Sequence, residues 1–169
     1  PITLLIIFFL LYVHFGNITE SLMVMITLPF ALVGGVWLMF LLGFNTSVAV
    51  AVGFIALLGL AAETGVVMLV YLNEAYNRYK EEDRMRSSAD LRAAVAEGGA
   101  ERVRPILMTV GTTLIGLSPI MFGTTTGSEV MTRIAAPMVG GLITSTILTL
   151  LIIPAIFYLV KVSTVISDA

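Results

Sequence analysis

The feature that most constrains this chain is a series of long hydrophobic runs with almost no charged residue inside them. A helix needs about 20 apolar residues to cross the hydrocarbon core of a bilayer, at a rise of about 1.5 Å per residue. Hydrophobic residues make up 58% of the 169 residues and charged residues only 12%, whereas about 25% of the residues in soluble domains are charged. A soluble domain of this size has no interior large enough to bury so much apolar surface. The chain is therefore predicted to be an integral membrane protein.

The hydrophobic runs predict an all-α, polytopic bundle of five membrane helices. The runs lack the alternation of barrel strands, and backbone groups in lipid must be satisfied within each segment, which favours helices. The predicted helices cover about 1–15, 21–42, 46–72, 105–123 and 134–160. Because the first run is shorter than a full span, we expect a fragment of a longer protein, truncated within or just before a helix. A natural short protein with a tilted first helix is the alternative.

Charged residues are concentrated in one connector, residues 73–104, which holds seven acidic and seven basic residues. Within it, residues 88–97 have a helix-forming composition, and Gly98-Gly99 is predicted to end this short amphipathic helix. Basic residues favour the cytoplasmic side of a membrane. Alternating the helices across the bilayer places the seven bases of the connector and Lys161 on one side, against Arg133 alone on the other. The connector and the C-terminal tail are therefore predicted to be cytoplasmic.

Composition also excludes several classes of function. The formal net charge of -2 leaves no basic surface for nucleic acid. The absence of cysteine removes thiolate catalysis and zinc sites built from cysteine. A single histidine removes sites with several histidine ligands, and no His-Glu-x-x-His or Gly-x-Ser-x-Gly stretch occurs. We therefore expect neither an enzyme nor a bound cofactor.

Glu63 is the acidic residue that lies deep inside a predicted span. About seventeen largely apolar residues precede it in its run and nine follow it, so it lies on the order of 13 Å from the cytoplasmic end. An acid at such depth costs about 2.5–3.5 kcal/mol to insert, and desolvation favours its protonated form. A carboxyl group that gains and releases a proton there is what a proton-driven transporter requires. The alternative is a neutral glutamate that forms a hydrogen bond across a helix interface.

Arg102 and Thr109 are seven residues apart at the start of the fourth run, so a helix places them on one face, and Thr113 extends that face by another turn. This face either lines a polar path and interacts with a titrating carboxylate, or it has only local roles. In the second case Arg102 and Arg104 are cytoplasmic anchors, and Thr109 bonds to its own backbone. The spacing alone leaves both interpretations open.

Two pairs of glycines predict where helices pack closely. Gly34-Gly35 follows Pro29 in the second run, and Gly140-Gly141 follows Pro137 in the fifth. Glycine allows the backbones of membrane helices to approach each other, and neighbouring helices satisfy the groups that a proline kink frees. Both pairs are therefore interpreted as packing positions.

Met131 is the methionine of interest near the start of the fifth run, between Glu129 and Arg133, which are spaced as an i,i+4 ion pair. Thioether sulfur is a suitable ligand for soft ions such as Cu(I). Most methionines in apolar helices simply fill space, however. From its surroundings alone, Met131 is interpreted as a packing residue.

Four stretches resemble the C-terminal transmembrane half of resistance-nodulation-division (RND) efflux permeases. They are Pro29-Phe-Ala-Leu-Val-Gly-Gly35, Gly53-Phe-Ile-Ala-Leu-Leu-Gly-Leu-Ala-Ala-Glu-Thr-Gly-Val-Val-Met68, Arg102-Val-Arg-Pro-Ile-Leu-Met-Thr109 and Gly127-Ser-Glu-Val-Met-Thr-Arg-Ile-Ala-Ala-Pro-Met138. The third stretch is specific to the superfamily, and the Ala-Ala-Glu and Gly-Ser-Glu-Val-Met segments most closely resemble its heavy-metal branch for Cu(I) and Ag(I). The resemblance covers essentially the whole chain, as the last five of the family's twelve helices.

This resemblance implies roles for particular residues. Glu63 matches the proton-relay position of the family, and Arg102 and Thr109 match relay-associated positions on the next helix. Met131 falls where the Cu(I)/Ag(I) branch places one methionine of a pair that passes ions along. The chain departs from that branch at Ile106, where the branch carries a lysine.

The resemblance also implies the setting in which the chain works. It predicts the transmembrane part of a proton-driven cation efflux permease of the bacterial inner membrane, with Cu(I) or Ag(I) as the transported ion. The remainder of the permease chain, with its N-terminal helices and porter domains, would complete it. The implied assembly is a homotrimer with a periplasmic adaptor and an outer-membrane channel. Two alternatives remain: an RND member for divalent metals or drugs, and a structural membrane subunit without transport activity.

Overall fold

The protein is a bundle of long helices. A computed structural model describes residues 2–85, 87–124 and 126–167, with side chains described through Val162. Helices α1 (Ile2–Phe15), α2 (Ile18–Leu42), α3 (Val48–Glu81), α4 (Ser88–Met121) and α5 (Ser128–Ser167) follow in chain order, and the described part contains no strand. Helices α2 to α5 are each long and apolar enough to cross a membrane, and α1 is a shorter apolar helix. The predicted all-α bundle of a multi-pass membrane protein is confirmed.

The charged connector is shorter than predicted because the two helices that flank it are longer. Helix α3 continues to Glu81, and α4 begins at Ser88 after an N-cap at Ser87, whose side chain accepts a hydrogen bond from the Asp90 backbone. The predicted short amphipathic helix is therefore the first part of α4. Two other helices also begin before their predicted spans, α2 at Ile18 and α5 at Ser128.

The predicted end of a helix at Gly98-Gly99 is wrong, because α4 runs through both glycines. A Cβ atom on Gly98 would lie 2.9 Å from the Cβ atom of Ala75 and 3.0 Å from the carbonyl oxygen of Tyr71. Gly98 is therefore the point at which α4 approaches the backbone of α3. Close helix contact, rather than chain reversal, explains the glycine at this position.

Helix α5 is the centre of the bundle and packs against α2, α3 and α4, whereas α1 packs against α2. The glycine pairs of α2 and α5 lie at the crossing of these two helices. A Cβ atom on Gly34 would lie 2.5 Å from the carbonyl oxygen of Gly140, and one on Gly35 would lie 2.9 Å from that of Pro137. A Cβ atom on Gly141 would lie 2.8 Å from the carbonyl oxygen of Ala31. The backbones of α2 and α5 therefore approach as closely as glycine permits.

Candidate functional site

Glu63 lies near the middle of α3, between the buried residues Ala61 and Gly65, and its own side chain is exposed on the surface of the chain. Within the described residues, its carboxyl group forms no hydrogen bond and no ion pair. The alternative expectation, a hydrogen bond across an interface between helices, is thus not met inside this part of the chain. The carboxyl group therefore remains available to a proton, to water or to a further protein surface.

A cavity of about 50 Å³ between α3 and α4 brings the three predicted relay residues together. Glu63 and Thr64 line it from α3, and Arg102, Thr109 and Thr113 line it from α4. A buried water molecule needs at least about 10–15 Å³ and two to four polar partners. This cavity offers both the space and the polar groups for water between a carboxyl group and a guanidinium group.

Arg102 contributes a guanidinium cation with a hydrogen-bond donor that has no partner among the described residues. Its guanidinium carbon lies 5.3 Å from the centroid of the Tyr71 ring, a distance at which a cation is attracted to an aromatic face. Its Nε atom is buried and has no hydrogen-bond partner. A buried donor without a partner is costly, so this group favours an acceptor such as water or a carboxylate in the cavity.

The threonine hydroxyl groups of the cavity are oriented by their own helices. Thr109 donates a hydrogen bond to the carbonyl oxygen of Pro105 at 3.0 Å, Thr113 donates to that of Thr109 at 2.9 Å, and Thr64 donates to that of Leu60 at 2.8 Å. Bonding to its own backbone is the local role that sequence analysis left open for Thr109. Since each hydroxyl proton is committed to the helix, the hydroxyl oxygens act as hydrogen-bond acceptors towards the cavity.

Glu63 also lines a second, more open groove between α1 and α3. This groove has a volume of about 440 Å³, and apart from Glu63 and His14 its lining is apolar. His14, the single histidine of the chain, therefore faces the same space as the carboxyl group. Glu63 stands between this groove and the small cavity that contains Arg102.

Met131 lies apart from these two cavities, in the first turns of α5, and its side chain is 54% exposed. The described part of the chain contains no group of three or more His, Asp or Glu side chains that could hold a metal ion. A single thioether does not complete the coordination of a metal ion, so any ion bound by Met131 would need further ligands from other residues.

A buried charge cluster lies at one end of the bundle and was not predicted from the sequence. Glu20, in the first turn of α2, is 5% exposed. Its Oε1 atom lies 3.2 Å from Nζ of Lys161, and its Oε2 atom accepts a hydrogen bond of 2.7 Å from Nδ2 of Asn73. The Lys161 ammonium group also lies 5.0 Å from the Tyr76 ring centroid. The available signal was that Glu20 and Lys161 are opposite charges at the same predicted membrane surface.

Membrane-length helices that surround a polar cavity define a polytopic helical membrane protein with an ionisable site inside its spans. Residues 1–161 match the model of the AcrB/AcrD/AcrF family. The chain belongs to this family, which confirms the RND resemblance found in its sequence.

Relatives with known names and structures agree with this assignment. The chain is 51% identical to the putative cation efflux system protein SilA of Salmonella typhimurium, over 95% of this chain and 16% of that protein. It is 50% identical to the cation efflux system protein CusA of Escherichia coli K12, over 94% of this chain and 15% of that protein. A crystal structure of a heavy metal efflux pump superposes with a TM-score of 0.81 at 37% identity, over 95% of this chain and 15% of that one. The chain thus spans about a sixth of the length of these relatives.

Proposed function

We propose that this chain is the transmembrane part of a proton-driven cation efflux permease, a secondary transporter rather than an enzyme, that exports Cu(I) or Ag(I) across the bacterial inner membrane. The observation that carries the proposal is the meeting of Glu63, Arg102 and Thr109 around one cavity between membrane-length helices. Similarity to relatives named as cation efflux proteins supports it. The loop between α3 and α4 and the C-terminus lie in the cytoplasm, as the distribution of basic residues indicates.

In this proposal, Glu63 carries the proton and Arg102 responds to its charge. An ionised Glu63 attracts the Arg102 guanidinium group, directly or through water in the cavity. A protonated Glu63 is neutral, and the guanidinium group then rests against the Tyr71 ring, 5.3 Å away. The two protonation states thus favour two arrangements of α3 and α4, and a proton gradient shifts the population between them.

The exposure of Glu63 supports a partner on this face. Ionisable groups inside membranes face the interior of a bundle or a water-filled cavity, because lipid contact is costly. The N-terminal helices in the remainder of the permease chain therefore cover α1 and α3 beside Glu63. The complete protein acts as a homotrimer with a periplasmic adaptor and an outer-membrane channel, as the RND resemblance implies.

Ile106 gives the cavity an apolar wall at the position where the Cu(I)/Ag(I) branch carries a lysine. Its side chain is 2% exposed and lines the same cavity as Glu63. Among the described residues, Arg102 is the cationic side chain that lines this cavity. We therefore propose a relay in which Arg102 alone compensates the charge of Glu63 from within this chain.

The test of the proton role is Glu63→Gln in the full-length permease, reconstituted in liposomes with a pH gradient. We expect proton-coupled Cu(I) efflux to fall to the level of empty liposomes, since glutamine cannot gain or release a proton. The matched control is Glu129→Gln, which removes an exposed acid in the first turn of α5 and is expected to leave efflux intact. Retained proton-coupled efflux in Glu63→Gln would refute the carrier role of Glu63, whereas absence of efflux from the unmodified permease would favour the structural-subunit alternative.

The test of metal selectivity is Met131→Ile, assayed separately with Cu(I) and Zn(II). If Met131 is a soft-ion ligand, Cu(I) efflux falls while any Zn(II) efflux is unchanged. Met108→Ile is the matched control, because Met108 is 58% exposed and Met131 is 54% exposed. Equal losses for both ions, or equal effects of the two substitutions, would contradict the role of Met131 as a soft-ion ligand.

A further inference from the structure

A third cavity, of about 400 Å³, lies between the first part of α4 and the last part of α5. It shares no lining residue with the cavity that contains Glu63 and Arg102. It is open to the outside of the chain, since Ala96 and Ala100 on one wall and Ala155 on the other are exposed. The proposed proton relay leaves this groove without a role.

The groove exists because its walls carry small side chains. On α4, Ala96, Gly99, Ala100 and Val103 follow one another at helical spacing and form one face. The α5 wall includes Ala155. The groove extends over twelve residues of α4, from Arg92 to Val103, and the eleven rises between them correspond to about 16 Å. That length is close to half the thickness of a hydrocarbon core of about 30 Å, so the groove is long enough to accommodate much of one acyl chain.

One end of the groove is cationic and aromatic, whereas the rest of its lining is apolar. Arg92 and Tyr158 lie at this end, with the guanidinium carbon of Arg92 5.7 Å from the centroid of the Tyr158 ring. Arg92 is exposed and pairs with no carboxylate among the described residues. Tyrosine and arginine at the end of a membrane helix are typical of the headgroup region. The groove thus has a cationic end and an apolar remainder, which match the charged headgroup and the apolar acyl chain of an anionic phospholipid.

We propose that this groove binds an anionic phospholipid, with its phosphate against Arg92 and one acyl chain along the small residues of α4 and α5. Basic pockets between transmembrane helices bind anionic headgroups through charge. The Tyr158 hydroxyl group adds a hydrogen-bond donor at the same end. The small residues leave room for the acyl chain beside the helix backbones. This inference is independent of proton transport.

The first test is native mass spectrometry of the delipidated full-length protein, titrated with phosphatidylglycerol and with phosphatidylcholine of the same acyl chains. We expect the unmodified protein to prefer phosphatidylglycerol. Arg92→Gln is expected to weaken its binding about fivefold, the ratio that corresponds to about 1 kcal/mol per basic residue at an anionic surface. Inorganic phosphate is not expected to displace the lipid. Arg104→Gln, which removes an exposed arginine of the same helix outside the groove, is expected to have no effect.

The second test fills the groove without changing its charge. Ala96→Leu is expected to remove the tightly bound lipid, whichever headgroup it carries. Ala93→Leu is the matched control, because Ala93 is exposed on the same helix but does not line the groove. Equal effects of Arg92→Gln and Arg104→Gln, or of Ala96→Leu and Ala93→Leu, would overturn the proposal. Such a result would be obtained if another segment of the full-length protein occupied the groove.

Discussion

The buried pair of Glu20 and Lys161 permits a quantitative prediction about stability. The pair joins α2 to α5, and Asn73 adds a hydrogen bond from α3, so one cluster holds three helices together. The side chain of Glu20 is 7% exposed and that of Lys161 is 20% exposed. We therefore expect removal of either charge to leave the other poorly solvated, which is the main cost of breaking a buried ion pair.

The size of the effect depends on which charge is left behind. Removing one partner of a buried pair costs about 3–5 kcal/mol, and the partial exposure of Lys161 places Lys161→Met at the lower limit, about 3 kcal/mol. Glu20→Gln costs less, about 2 kcal/mol, because glutamine still accepts the Asn73 hydrogen bond and the lysine keeps its aromatic contacts. The double variant has no uncompensated charge, so it loses about 2 kcal/mol rather than the sum. The expected coupling energy is about 3 kcal/mol.

The assay is equilibrium unfolding in mixed detergent micelles, followed by circular dichroism and by the fluorescence of Trp37, the single tryptophan. The control is Arg84→Met, which breaks an ion pair of 3.0 Å with Glu82 whose side chains are 59% and 48% exposed. Exposed pairs contribute about 0–1 kcal/mol. A double variant of Glu20 and Lys161 that loses the full sum of the two single effects would refute the argument, because it would show that the charges do not interact.

Other positions give further predictions. Gly98→Ala is expected to cost about 1–3 kcal/mol in the same unfolding assay because its Cβ atom meets backbone and side-chain atoms of α3 at 2.9–3.0 Å. Gly99→Ala, whose added Cβ atom would lie 3.6 Å from the terminal methyl carbon of Met68, is expected to be neutral or slightly stabilising; equal costs would contradict the close contact at Gly98. Gly34→Ala is expected to cost more than Gly98→Ala, since a backbone oxygen of α5 lies 2.5 Å from the Cβ position, and a smaller cost would contradict it. Tyr71→Leu is expected to slow proton-coupled efflux at least about fivefold by releasing Arg102, and Tyr71→Phe to retain it, because a partly shielded cation–π contact contributes about 1–2 kcal/mol. Equal rates in the two Tyr71 variants would exclude a role for the ring.

The helices could be predicted from hydropathy, but the ends of α3 and α4 in the charged segment could not. Insertion into lipid depends on the local content of apolar residues, which the sequence displays directly. The extension of α3 to Glu81 and the start of α4 at Ser88 are supported instead by contacts between the two helices. Arg78 lies 2.6 Å from Glu97 and 3.4 Å from Glu101. These residues are too far apart in sequence for their pairing to be read from spacing, so a charged segment was interpreted as a connector.

The same distinction separates the part of the site that could be predicted from the part that could not. The spacing of Arg102 and Thr109 places them on one face of α4. Because α4 follows α3 directly in the chain, the packing of these two adjacent helices is enough to bring both residues close to Glu63. Glu20 and Lys161 are 141 positions apart, and their contact depends on α5 packing against α2, which periodicity does not reveal. Glu63 is a carboxyl group exposed in the middle of α3. We expect its environment, like that of Glu20, to be completed by a residue that is distant in sequence and is brought close by helix packing. A further partner besides Arg102 is therefore expected on a helix outside these 169 residues, where local patterns in their sequence cannot identify it.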